Sequence, residues 1–158
     1  MFTQLGTGAD ILNLWRAMDR QSVRVRTLGR QGSDIDAVRD YTGPAGEGYT
    51  LRTTVVPPHV GGPAIREIRA TLDRYVPGTP LQSGNVANWA GGLLALDCLR
   101  RMNGEITREA IIAEMDRTTG FSASGLTQAI TYRPGQHLGP KVFFFQKHGT
   151  AWGPVHPE

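Results

Sequence analysis

The chain has 158 residues, a formal net charge of +3, 39% apolar and 20% charged residues. That balance excludes a disordered polyelectrolyte, and no apolar run approaches the roughly 18 residues that a membrane-spanning helix needs. With 20 glycines and 10 prolines, the composition favours short elements and many turns over a coiled coil.

Met1 to Leu5 reads as a short apolar strand, broken by Gly6-Thr7-Gly8. Ala9 to Arg20 follows as a helix with Asp10 at its N-cap; Ile11, Leu14, Trp15 and Met18 recur on one face at helical spacing. Val23 to Leu28 alternates apolar and polar residues, which predicts a strand, and Gly29-Arg30-Gln31-Gly32 makes the loop at its end. Ser33 or Asp34 then caps a short helix toward Arg39. The opening is an α/β pattern.

Residues 41–48 are rich in turn formers, and Tyr49 to Val56 predicts a strand that Pro57-Pro58 ends. Gly61-Gly62-Pro63 opens a helix in which Ile65, Ile68 and Leu72 share a face. Asn85 to Met102 carries the strongest helical pattern, with Trp89, Gly92, Leu93, Leu96 and Leu99 along one side. Thr107 caps a further helix over 108–117. Leu126 to Tyr132 and Val142 to Gln146 read as strands, and Lys147-His148-Gly149-Thr150 turns the chain back toward Trp152.

The chemistry-bearing residues are sparse. The basic residues are 15 Arg against Lys141 and Lys147. Arg16, Arg20, Arg24, Arg26 and Arg30 lack aromatic interleaving and are interrupted by Asp10 and Asp19, so they predict no nucleic-acid stripe. Cys98 is the one cysteine, which excludes an internal disulfide and a multi-cysteine zinc site. His59, His137, His148 and His156 lie scattered in loops without a ligating pair. Asp34-x-Asp36 reads as a solvated turn or helix cap. No serine sits in a Gly-x-Ser-x-Gly elbow, and Gly6-Thr7-Gly8 lacks the third glycine of a dinucleotide fingerprint. The residues nominate no cofactor, no metal and no catalytic set. The start of the chain has no basic segment leading into an apolar core, so it is not a signal peptide.

The order of motifs carries more. Gly-Thr-Gly-Ala-Asp is followed by Gly-Arg-Gln-Gly (29–32), Thr-Gly-Pro-Ala-Gly-Glu-Gly (42–48) and a strand ending in Pro-Pro. Asn-Trp-Ala-Gly-Gly-Leu-Leu-Ala-Leu (88–96) and Asn-Gly-Glu-Ile-Thr-Arg-Glu-Ala (103–110) come next, then Ser-Gly-Leu-Thr (124–127) and a Phe-rich strand before a His-Gly turn. This series resembles the C-terminal part of type I periplasmic binding proteins, the branched-chain amino-acid receptors of ABC importers. The resemblance implies an incomplete α/β fold of Rossmann-like type with segments of both lobes of such a receptor. Residues 1 to about 52 and about 121–158 would belong to the C-terminal lobe, and about 53–120 would cross to the N-terminal lobe. It also implies that the chain is a piece of a longer protein, that it acts in the periplasm, that its partners are a small solute and ABC permease subunits, and that it performs no chemistry. Strands left as edges predict self-association of the chain on its own.

The same resemblance implies the ligand-facing positions. The loop after the first strand offers Thr7 beside Gly6. The loop after the next strand offers Gln31, where amino-acid receptors carry an acid that pairs with the ligand ammonium. An aromatic near the start of the long helix, Trp89, packs on the ligand from the other lobe. A neutral amide at residue 31 weakens α-amino-acid binding by about 2–5 kcal/mol, so an aromatic or other carboxylic acid, an amide or a urea-like solute fits better than a standard branched-chain amino acid. Two other classes stay open: a cytosolic ligand-sensing regulatory domain of the same fold, and a small α/β enzyme using Asp34 or His148.

Overall fold

The computed structural model describes residues 2–3, 6–136 and 138–155. Helix α1 spans Gly8–Arg20, and its cap is Thr7 rather than Asp10. The Thr7 hydroxyl accepts from the Asp10 N–H, and the Asp10 carboxylate accepts from the Thr7 N–H at 2.6 Å. An acid at the third helical position can reach back to the cap and satisfy a second orphan donor, which places Asp10 inside the helix. The helix buries Ile11, Leu12, Trp15 and Met18.

Strand β1 is Phe2–Thr3, and β2 is Thr27–Arg30 rather than 23–28. Among the described residues β1 pairs with Thr27 and Leu28, and the alternating residues before them have no ladder partner. Val23 and Val25 accordingly stay exposed. The short helix α2 is Asp36–Arg39; Ile35 occupies its cap without a side-chain hydrogen bond, so neither Ser33 nor Asp34 caps it. Strand β3 is Thr50–Thr53, shorter than the expected 49–56.

The chain then leaves the sheet for three helices, α3 (Pro63–Tyr75), α4 (Ser83–Arg101) and α5 (Arg108–Asp116). Thr107 caps α5 as its sequence predicts, accepting from the Ala110 N–H at 3.1 Å. The expected strand over 126–132 is absent; a single bridge joins Phe121 to Ile130. The chain returns as β4 (Phe143–His148), turns at Gly149-Thr150 and closes with β5 (Ala151–Pro154). Lys147 and His148 therefore belong to the strand and not to the turn.

These strands form one sheet in the order β1-β2-β3-β4-β5. The first three run parallel, and β4 and β5 add antiparallel. Leu51 stands opposite Phe145 in the register, and both are buried. Arg52 and Phe144, one residue along each strand, face the opposite side and are exposed, as a period of two requires.

The apolar residues gather into two clusters. The first packs α1, Val38, Ala45, Tyr49 and Leu51, with Trp152 against it. Trp15 meets Tyr49 edge-on, their ring centroids 5.0 Å apart, and its indole N–H donates to Thr27. The second cluster packs Val55, Ile65, Ile68, Leu81, Val86, Ala90, Ala123 and Leu126. The break between the clusters falls just after β3.

Candidate ligand-binding site

Open sheets of parallel strands leave a crevice outside their carboxyl ends, and ligands of α/β folds bind there. Gly6 and Thr7 follow β1, and Gln31 follows β2. Since β1 and β2 are adjacent and parallel, these two loops share one edge of the sheet. The topology thus sets three of the four expected site residues in loops at the same end of neighbouring strands.

Thr7 is exposed at the positive end of α1, and Gly6 is half-buried. The Thr7 hydroxyl lies 2.9 Å from the Asp10 carboxylate. Hydrogen bonds from Thr7, first its N–H and then its hydroxyl, hold the Asp10 carboxyl below the usual range. Any ligand that takes the Thr7 hydroxyl competes with this cap.

Gln31 is half-buried, and its Oε1 is heavily engaged. It accepts from the Thr54 N–H at 2.9 Å, the Thr54 hydroxyl at 2.7 Å and the Thr53 hydroxyl at 3.3 Å. The loop around it is pinned on both sides. Ser33 Oγ donates to the Arg30 carbonyl at 2.6 Å, and the Gly32 N–H donates to Ser83 Oγ at 2.8 Å. Gly32 has φ +87, a conformation glycine adopts without strain.

Trp89 stands elsewhere, in an apolar groove of about 440 Å³ between α3 and α4. Ile68, Leu72, Leu93 and Leu96 line the groove with it, and Thr7 and Gln31 do not. Leu96 and Leu99, expected on the packed side of α4, are 47% and 39% exposed, whereas Val86, Ala90 and Cys98 are buried. Ala90 and Cys98 face the core, and Leu96 and Leu99 flank open space.

The remaining titratable groups serve the fold. Asp34 is buried and accepts from both the N–H and the hydroxyl of Ser83, so it caps α4 across a long sequence separation and not its own short helix. Sequence spacing gives no sign of that partnership. Asp36 pairs with Arg39 at 3.0 Å. His148 lies 2.9 Å from Glu47 on the exposed hairpin. His59 stacks on Trp152, with centroids 4.6 Å apart, and burial lowers its pKa. His137 and His156 lie outside the described residues. Among the described residues no cluster of His, Cys, Asp and Glu could hold a metal ion, and no helix is long and apolar enough to cross a membrane.

The model of the family described as periplasmic binding protein matches residues 2–151. No curated protein sequence matches the chain. Among solved structures, a possible leucine/isoleucine/valine-binding protein of Rhodopirellula baltica SH 1 is similar with a TM-score of 0.76 and 21% identity, over 98% of this chain and 42% of that one. A branched chain amino acid ABC transporter protein of Thermus thermophilus, solved with bound valine, gives 0.76 and 20%, over 99% and 45%. A fatty acid ABC transporter substrate-binding protein of Thermomonospora curvata gives 0.72 and 20%, over 97% and 41%. The chain spans less than half the length of each of these proteins. Its α/β fold is theirs in part, and the match over residues 2–151 identifies the chain as a member of the periplasmic binding protein family.

Proposed function

We propose that the chain supplies one wall of a solute receptor of an ABC import system, which captures a small molecule between two lobes and leaves its bonds intact. The observation that supports this reading is that Gly6, Thr7 and Gln31 follow adjacent parallel strands at their carboxyl ends, in a chain of this family. In this reading the lobes divide near residue 53, where the two apolar clusters part, and again near residue 121, a few residues before the last members of the second cluster. Phe121, Ala123 and Leu126 pack on the second cluster as the chain crosses back. Trp89 belongs to the opposite lobe and reaches solute when the lobes close.

The solute is an amino acid, an aromatic acid or an amide. Capture works by closure, so the closed state must bind solute better than the open state does. The closed surface then docks on the membrane permease, which places the protein in the periplasm. The experiment is a thermal-shift panel on the full-length gene product with amino acids, aromatic acids and amides, followed by calorimetry of each hit. A saturable shift that weakens in Thr7→Ala and in Gln31→Ala supports the site. Saturable binding unaffected by both substitutions overturns it.

A further inference from the structure

Gln31 sits between two possible polarities, because an amide carries a carbonyl acceptor at one end and two N–H donors at the other. Hydrogen bonds to hydroxyls do not decide which end faces them, since a hydroxyl both donates and accepts. A backbone N–H does decide: it only donates. The Thr54 N–H lies 2.9 Å from the Gln31 side chain, so the atom facing it is the carbonyl oxygen. The Thr54 hydroxyl then donates to that same oxygen at 2.7 Å; the single proton of the Thr53 hydroxyl has a nearer acceptor in the Val55 carbonyl, 3.0 Å away against 3.3 Å to Gln31. The two ends of a planar amide point apart, so fixing the oxygen against the end of β3 turns the NH2 away from it.

The support is rigid. Thr53 Oγ1 also accepts from the Val55 N–H at 3.2 Å, and the loop around Gln31 is pinned at Arg30 and Gly32. Reversing the amide would set its NH2 against the Thr54 N–H and leave a buried donor without an acceptor, a costly arrangement. Gln31 is therefore a preset donor and does not adapt to its ligand.

We infer that Gln31 selects, at this point of the cleft, a solute whose polar head offers an acceptor oxygen, a carboxylate or an amide carbonyl, and rejects an ammonium there. The inference rests on the receptor reading above. It assigns the specificity of the residue to the N–H and hydroxyl of Thr54, which hold its oxygen. A ligand ammonium would meet the N–H groups of Gln31, which cannot accept its protons. A carboxylate or amide carbonyl would meet an N–H donor there.

Two measurements test it. In the labelled chain, a scalar coupling across the hydrogen bond from Thr54 15N to Gln31 13Cδ is expected; its absence overturns the preset orientation whatever the protein binds. In the full-length gene product, calorimetry compares benzoate, benzamide, benzylamine and phenylalanine. Wild type is expected to bind benzoate or benzamide about tenfold or more tightly than benzylamine, the worth of one good hydrogen bond. Gln31→Glu, which replaces the donor with a second acceptor, is expected to reverse that order in favour of benzylamine and phenylalanine. Preference of the wild type for benzylamine, or an order unchanged in Gln31→Glu, overturns the inference and leaves the receptor reading standing. Silence of all four probes on both proteins, with the coupling present, overturns the receptor reading at this edge and the selectivity with it.

Discussion

The Ser83 hydroxyl donates to the Asp34 carboxylate at 2.5 Å, and the Ser83 N–H donates to its other oxygen at 3.0 Å. One buried acid thus caps α4 and ties that helix to the loop that carries Gln31. The same hydroxyl accepts from the Gly32 N–H, so the loop of residues 32–34 grips the first residue of α4 from two points. In the proposed receptor this contact would join the two lobes.

Removing the acid tests how much the junction matters. Asp34→Ala strands two donors of Ser83 and is expected to cost about 2–4 kcal/mol, the upper part of the range for a buried charged acceptor. Ser83→Ala strands the Gly32 N–H and one carboxylate oxygen, and costs about 1–3 kcal/mol. Because both changes break one network, the double variant should lose clearly less than the sum. Urea midpoints of the wild type and the three variants measure this, and strict additivity refutes the junction.

Gly29 is a matter of space. A Cβ there would lie 1.6 Å from the Tyr49 hydroxyl and 2.5 Å from its ring carbon, and Tyr49 is fully buried. The ring is held by Trp15 and Trp152 on its other sides, so it has no easy retreat. Gly29→Ala is expected to destabilise the chain by about 1–3 kcal/mol through overpacking. Pairing it with Tyr49→Phe, which removes the clashing oxygen, should recover part of that loss. A thermal melt unchanged in Gly29→Ala would refute the packing described.

Tyr49 and Lys147 set opposite slopes in alkaline solution. Burial pushes the Tyr49 phenol up to about 12 from 10. Ser33 already donates to the Arg30 carbonyl, so Tyr49 donates in the 2.6 Å bond between the two hydroxyls. Between pH 10 and 12 the unfolded chain has lost a proton that the folded chain keeps, so stability falls across that window, by about 2–3 kcal/mol in total. Lys147 is buried, donates to the carbonyls of Tyr41 and Gly149, and has its pKa lowered from 10.5 by burial. Between its lowered value and 10.5 the folded chain holds fewer protons, so stability rises with pH there. Unfolding free energy against pH should therefore climb toward pH 10 and drop above it. Tyr49→Phe should shrink the drop to the smaller part that the Tyr41 phenol, also raised by burial and by its bond to Asp19, contributes, and Lys147→Met should remove the climb; a Tyr49→Phe profile that falls as steeply as the wild type above pH 10 contradicts the assignment.

The helices were legible because their signals are local. The periodic apolar face of α1 and the Thr107 cap of α5 lie within a few residues of the elements they define. The strands were legible only where a neighbour exists: Val23 and Val25 alternate as a strand should, yet β1 begins its pairing at Thr27. Trp89, Leu93 and Leu96 announce a helix, but the pattern does not tell a filled face from an open groove. At the site, the sequence order was enough to place Thr7 and Gln31 in neighbouring loops. It could not show that Thr54, 23 residues away, holds the Gln31 oxygen, because that contact depends on the parallel register of β2 and β3.

Phe144 supplies the last test, on the chain by itself. It is 37% exposed on the outward side of β4, in an apolar groove of about 540 Å³ that it shares with Val142, Phe143, Pro154 and Val155. Beside it, β5 is an outer strand of the sheet, where unpaired backbone groups invite a second chain. Pro154 at the end of β5 shields only part of that edge. The 158-residue chain is therefore expected to associate with itself, eluting earlier from a sizing column as its concentration rises. Phe144→Lys places a charge on an exposed position without touching the buried Phe145 side, so it should shift the chain toward the monomer while its melting temperature falls by only a few degrees. A monomer at every concentration in the wild type, or association that Phe144→Lys leaves intact, would show that this face is not the one that meets another chain.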